Sequence, residues 1–345
     1  MEHGASVDSS ISPDLAKRVV RYADLRPQLN SFIDKRTPGS AEEETFSVIG
    51  PGVIENMIDR HIHITIPHGF NMGGARMPPG CVNSQHSHET AEVFLVHTGT
   101  FSMIFGPNSE DGELEVSEGD LVSIPTRVFR GFRNSGKVRG HLVSILGGNN
   151  PGRVTWAPYV FDAARDHGLL LLENGNLVDT VAGETVPPGA KLVVPTTEDD
   201  VGQFRRLRAD QMRGWYVRKQ ELRGHPDAPL TGPGVQECLI IGVPNPAEGV
   251  PAAPIAAPHG FQVRRLFLEP GATIASHARQ EVEVLFVHEG RVDVTIAGQT
   301  VFLNKGDYFS IPEGIFRSWR NSGATRNDVQ VVRGGDHPAA PIWAD

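Results

Sequence analysis

Apolar and polar positions alternate with a period of two over short stretches of this chain, at 92–96, 101–105, 114–116 and 121–124. The pattern returns at 283–287, 292–296, 301–303 and 308–311. Each stretch ends at turn residues, such as His97-Thr98-Gly99, Gly119-Asp120, His288-Glu289-Gly290 and Gly306-Asp307. Many short strands separated by glycine and proline turns predict antiparallel sheets closed into a sandwich or barrel. Helical periodicity is scarce. A helix is predicted over 13–25, with Ser12 as its N-cap and Pro13 in its first turn. Between 159 and 222 the pattern is mixed, predicting a short helix at 160–167, a strand at 169–172 and a helix at 198–213.

The two sets of strands belong to an internal repeat. Pro67-His68-Gly69-Phe70 recurs as Pro258-His259-Gly260-Phe261, and at the same offset Gly80, His86, Glu92, His97 and Gly99 match Gly271, His277, Glu283, His288 and Gly290. The offset then shortens once, across 106–112, a lengthened hairpin loop in the first copy. Beyond it Ser123-Ile124-Pro125 and Arg133-Asn134-Ser135-Gly136 match Ser310-Ile311-Pro312 and Arg320-Asn321-Ser322-Gly323. One offset kept across such dissimilar motifs means that the halves share a fold. The expected organisation is an N-terminal helix and arm at 1–49, a first domain at 50–158, a mixed linker at 159–231 and a second domain at 232–345.

Composition narrows the function classes. A formal charge of −9 offers no basic face for nucleic acid or an anionic membrane. No apolar run reaches the ~20 residues of a transmembrane helix, and the first fourteen residues lack the basic and apolar regions of a signal peptide. Two cysteines, Cys81 and Cys238, make no disulfide framework. A cytoplasmic location is therefore expected.

The sharpest chemistry lies at Gly80-Cys-Val-Asn-Ser-Gln-His86-Ser-His88-Glu-Thr-Ala-Glu92. On a strand His86 and His88 leave the same face, and Glu92 can join them once the chain turns. Two imidazoles and a carboxylate with open positions suit a divalent transition metal, and this is the ligand set of non-haem Fe(II) oxygenases. His61 and His63 show the same spacing but read as strand surface or a satisfied pair. Asn83 and Gln85 are candidates for hydrogen bonds to the metal ligands, His141 for a fourth ligand, and His68, His97, His259 and His288 for roles in the fold. Nothing around Cys81 argues for a nucleophile.

From Gly80 to Gly99 the chain resembles the first motif of the cupin superfamily, Gly-x5-His-x-His-x3-Glu-x6-Gly, at every defining position. Gly119, Pro125 and Asn134 resemble the second motif, and Gly271–Gly290 with Gly306–Asn321 give a second pair, so the chain looks like a bicupin. The resemblance implies a mainly all-β protein, with two antiparallel jelly-roll barrels and a few short helices. Cupins include dioxygenases, decarboxylases, isomerases, storage proteins and sugar-binding modules, and gentisate-type dioxygenases are bicupins of about this size.

The departures are informative. The second motif normally ends in a metal-binding histidine, replaced here by Arg130 and Arg317; a guanidinium has no lone pair to offer. The first copy keeps His86, His88 and Glu92, while the second keeps His277 and Glu283 but has Arg279 at the second histidine position. Metal is therefore expected in the first copy and not in the second. A divalent cation beside one carboxylate and Arg130 carries a charge that an anionic substrate would balance, with Arg130 as its anchor; the competing use of Arg130 is a pair with Glu92. The favoured function is a mononuclear metal dioxygenase that takes O2 and a small anionic or phenolic substrate. Fe(II) is the leading metal, with Mn, Ni, Cu and Zn open. A metal-dependent isomerase, lyase or decarboxylase is the nearby variant, and a ligand-binding bicupin the alternative of another class. Homo-oligomerisation stays open.

Overall fold

The computed structural model describes residues 11–345 apart from Asp59. The opening ten residues, part of the segment read above for a signal peptide, lie outside the described residues. The chain divides into two compact units: residues 26–219 form one, and residues 220–345 with the described N-terminal residues up to Leu25 form the other.

In the first unit, a five-stranded sheet runs in the order Thr155–Trp156, Val82–Ser87, Arg130–Asn134, Thr100–Phe105, Glu113–Ser117. A seven-stranded sheet runs Tyr216–Val217, Leu121–Ile124, Glu92–Thr98, Gly140–Gly147, Phe70–Met77, Glu44–Ile49, Ile62–Ile64. All pairings are antiparallel except that of the last two strands. Met77, Phe94, Val96 and Val122 from one sheet meet Phe101, Met103, Phe105 and Phe132 from the other in a single buried core. The period-two pattern thus becomes a jelly-roll, each strand giving alternate side chains to the interior. The helix Pro158–Asp166 and the strand Leu169–Leu171 pack a second apolar cluster with Phe129 and Trp156.

The second unit repeats the plan. Its sheets run Val19–Val20, Tyr308–Ile311, Glu283–Glu289, Asn327–Gly334, Phe261–Leu268, Val235–Ile241 and Gln299–Asn304, Arg291–Ile296, Arg317–Arg320, Thr273–Ala278, Ile342–Trp343. Where the sequence predicts one helix over 13–25, the chain forms only Pro13–Ala16, with the Ser12 side chain accepting from Leu15 N, and then extends as Val19–Val20. Those β-branched residues pair with Phe309 and Tyr308, and Ile11 and Leu15 join the core of this unit. Similarly, the helix predicted at 198–213 is confined to Glu198–Val201, followed by a 3-10 turn at Ala209–Trp215. The strand Tyr216–Val217 then pairs with Leu121–Ile124.

A shared device anchors both short strands. Asp120 accepts from Lys219 N at 2.9 Å and from the Tyr216 hydroxyl at 2.7 Å. Its repeat equivalent Asp307 accepts from Tyr22 N at 3.0 Å and pairs with Arg21 at 2.9 Å. By contacts, residues 11–25 group with the second unit and residues 159–219 with the first, where the sequence suggests an arm and a linker. Leu15→Ala is accordingly expected to cost the second unit about 2–5 kcal/mol. Urea unfolding would show its transition shifted to lower denaturant while that of residues 26–219 stays in place.

Candidate metal centre

His86 lies near the end of the strand Val82–Ser87, His88 follows that strand, and Glu92 opens the next, Glu92–Thr98. All three are buried, and each offers a ligand atom within 4.8 Å of the others. The His86 and His88 rings stand 4.9 Å apart between centroids at 67°. His86 Nδ1 donates to Ser84 O at 2.7 Å, which fixes the tautomer and leaves Nε2 as the free donor atom. His88 Nε2 lies 3.5 Å from Glu92 Oε2. The turn before Arg130 holds this geometry, since Arg127 N donates to His88 O at 3.0 Å. Arg127 adopts φ 59°, a left-handed conformation supplied by Gly314 (φ 72°) in the other copy.

Electrostatics leave the trio in its ligating form. Burial, reinforced by Arg130, holds both imidazoles below their ordinary range. Burial works to raise Glu92, but Arg130 and His88 outweigh it and keep the carboxylate ionised. Arg130 itself is fully buried, with Nη2 paired to Glu92 Oε2 and Nη1 donating to His86 O at 2.9 Å. The pair with Glu92 expected of Arg130 is present. Glu92 and Arg130 cancel, so two neutral imidazoles complete a site of no net charge.

The trio opens on a cavity of about 70 Å³, walled by Phe46, Met72, Phe94, Phe132 and Leu146 and floored by Gly73 and Gly74. Glu43 also lines it. Its carboxyl accepts from Asn83 Nδ2 at 3.1 and 3.3 Å, and burial with neighbouring Asp34 pushes it up to about 8. Nothing in the sequence singles out Glu43, the middle of an acidic Glu42-Glu43-Glu44 run that reads as a solvated strand start. Asn83 thus serves Glu43, and Gln85 accepts from the Tyr159 hydroxyl at 2.7 Å, so neither is seen bonding the trio. His141 stands with His97 and Phe46 in a separate aromatic group. His68 and His259 make the same bond to the carbonyl two residues back, at 2.6 and 2.7 Å, as repeated fold elements would. His61 and His63 meet edge to face beside Arg26, and Cys81 is a buried thiol pushed up to about 12 by burial.

The second copy keeps the frame and fills the space. Arg317 repeats Arg130, donating to Glu283 Oε1 at 2.7 Å and to His277 O at 3.3 Å. The positions of Gly73, His88 and Leu146, however, carry Arg264, Arg279 and Arg333. All three converge on the buried Glu248: Arg279 at 2.6 Å, Arg333 at 2.5 Å and Arg264 at 3.3 Å. Burial opposes ionisation of Glu248, yet Arg333, Arg279 and Arg264 bring it down to about 2.

The Cupin domain family model matches residues 75–146 and 264–332, one segment in each unit. The chain carries two cupin domains. Among curated proteins, none matches the sequence. Among solved structures, the chain is similar to oxalate decarboxylase from Bacillus subtilis at pH 4.6, with TM-score 0.55 and 14% identity over 94% of this chain and 78% of that one. A structure of the same enzyme described for its Mn(II) centres matches with TM-score 0.54 and 14% identity over 98% of this chain and 81% of that one. At such identity the likeness is one of fold. Among the described residues, no helix is long and apolar enough to cross a membrane.

Two outcomes follow from the buried charges. Arg130→Met strands Glu92 in the first cupin, and Arg317→Met strands Glu283 in the second; each is expected to cost about 3–5 kcal/mol, measured by urea unfolding of the metal-free protein. Glu55, which accepts from Trp156 Nε1 at 2.8 Å, is pushed up to about 8 by burial. The folded state therefore holds a proton that an unfolded carboxyl releases near pH ~4.3. This contribution is intact below that pH and is lost as pH rises towards about 8. Thermal unfolding across this range should show Glu55→Gln gaining on the wild type as pH rises.

Proposed function

We propose that the first cupin is a divalent-metal centre that decarboxylates a small carboxylate. The observation that carries this reading is the convergence of His86, His88 and Glu92, buried and in their ligating protonation states, on one cavity. A barrel that needed only packing would have no use for three such groups on one wall. His86, His88 and Glu92 would hold the metal, which when bound would supply Lewis acidity to the substrate's carboxylate oxygens. Arg130 is a positioning residue: it fixes Glu92 and cancels its charge, so a bound M²⁺ leaves the site near +2. A dianion restores neutrality, and burying charge without that compensation costs several kcal/mol.

A cavity of about 70 Å³ beside the trio suits a compact acid such as oxalate. Similarity to oxalate decarboxylases supports the same choice, so decarboxylation moves ahead of the dioxygenase that the ligand set suggested. Mn(II) accordingly stands beside Fe(II) as the metal to try first.

The test is product stoichiometry. Protein loaded with Mn(II), and separately with Fe(II), is given oxalate while formate, CO2 and dissolved O2 are followed. One formate and one CO2 per oxalate, without net O2 uptake and lost in His88→Ala, is the expected result. O2 consumed in proportion to substrate would restore the oxygenase reading. Binding of oxalate without turnover would make the cupin a binding module.

A further inference from the structure

Glu43 is a buried carboxyl that the metal-holding trio does not use, and it has a particular place. Besides the metal cavity, Glu43 and Thr45 line a second cavity of about 10 Å³, bounded also by Gln28, Leu29, Asp34 and Lys35. That is room for about one water. Leu29 on its rim is 53% exposed, so the small cavity lies close to solvent.

The groups around Glu43 keep a proton on it. Asp34, buried and itself raised by burial, accepts from Ser84 N at 2.9 Å and opposes a second negative charge. Glu92 acts in the same sense from the metal side. Asn83, donating to both carboxyl oxygens, and Lys35 favour the ionised form, but burial and Asp34 outweigh them, and the Lys35 ammonium also donates to the backbone at Ala41 O and Glu43 O. The result is a neutral acid facing a cavity in which decarboxylation needs a proton.

We propose that Glu43 is the proton donor of the first cupin, reloaded from water through the small cavity beside Asp34 and Lys35. The proposal rests on the decarboxylase reading of that site. The carbon–carbon bond to the departing carboxylate breaks with its electron pair left on the remaining carbon, and CO2 leaves. The Glu43 proton forms the new C–H bond, Glu43 becomes a carboxylate, and one proton from solvent restores it. Overall, one carboxylate and one proton give one C–H and one CO2.

Two measurements on the full chain test this. Carbon-13 NMR of glutamate carboxyls in the metal-free protein is expected to show two resonances that titrate near neutrality or above, one missing in Glu43→Gln and the other in Glu55→Gln. In the Mn(II)-loaded protein with oxalate, Glu43→Gln is expected to lower kcat by about 10²–10⁴-fold with metal content and KM unchanged, and Glu43→Asp to recover part of the rate. A Glu43 carboxyl titrating in the ordinary range overturns the proposal, as does a Glu43→Gln variant that turns over like wild type. Wild-type protein that leaves oxalate untouched instead fails the decarboxylase reading, and the donor role falls with it.

Discussion

The ion pair between a strand-borne glutamate and the arginine at the end of the second cupin motif is the constraint on which both barrels are built. Arg130 with Glu92 and Arg317 with Glu283 sit at equivalent points, fully enclosed, and in each case the second guanidinium nitrogen holds the carbonyl of the preceding histidine. A lone carboxylate there would be untenable, since one ion stranded in a low-dielectric interior costs several kcal/mol. Because the pair is neutral, everything added around it must balance its own charge.

The two copies balance it differently. In the second, arginines at the positions of Gly73, His88 and Leu146 are matched by Glu248, which enters from outside the repeated strands, together with Glu237 at 3.7 Å from Arg264 and Glu281 at 3.7 Å from Arg333. In the first, two glycines and a leucine leave room, and the remaining donors are neutral imidazoles. Duplication and divergence have thus yielded one barrel whose interior is internally neutralised and another with space for a cation and its counter-anion.

Much of this is legible in the residues. The repeat, the strand periodicity and the His86–His88–Glu92 spacing give the fold and place the trio, because period-two geometry dictates which side chains share a face. The ends of elements are less legible. Val19–Val20 leaves the predicted helix because it pairs with Tyr308 and Phe309, nearly three hundred residues away in sequence. Glu43 shows the deeper limit: its raised proton affinity comes from burial and from Asp34, against the opposing hydrogen bond of Asn83, and none of these is marked by local pattern. Arg130 is visible as a departure from the motif, but only the folded chain shows its hold on Glu92.

The central claim is that His86, His88 and Glu92 of the first cupin take a metal, and metal content measures it most directly. Elemental mass spectrometry of protein reconstituted with Mn(II) or Fe(II) should find close to one equivalent per chain, lost in His86→Ala and retained in His277→Ala. No bound metal, or metal that follows His277 in place of His86, would contradict the account.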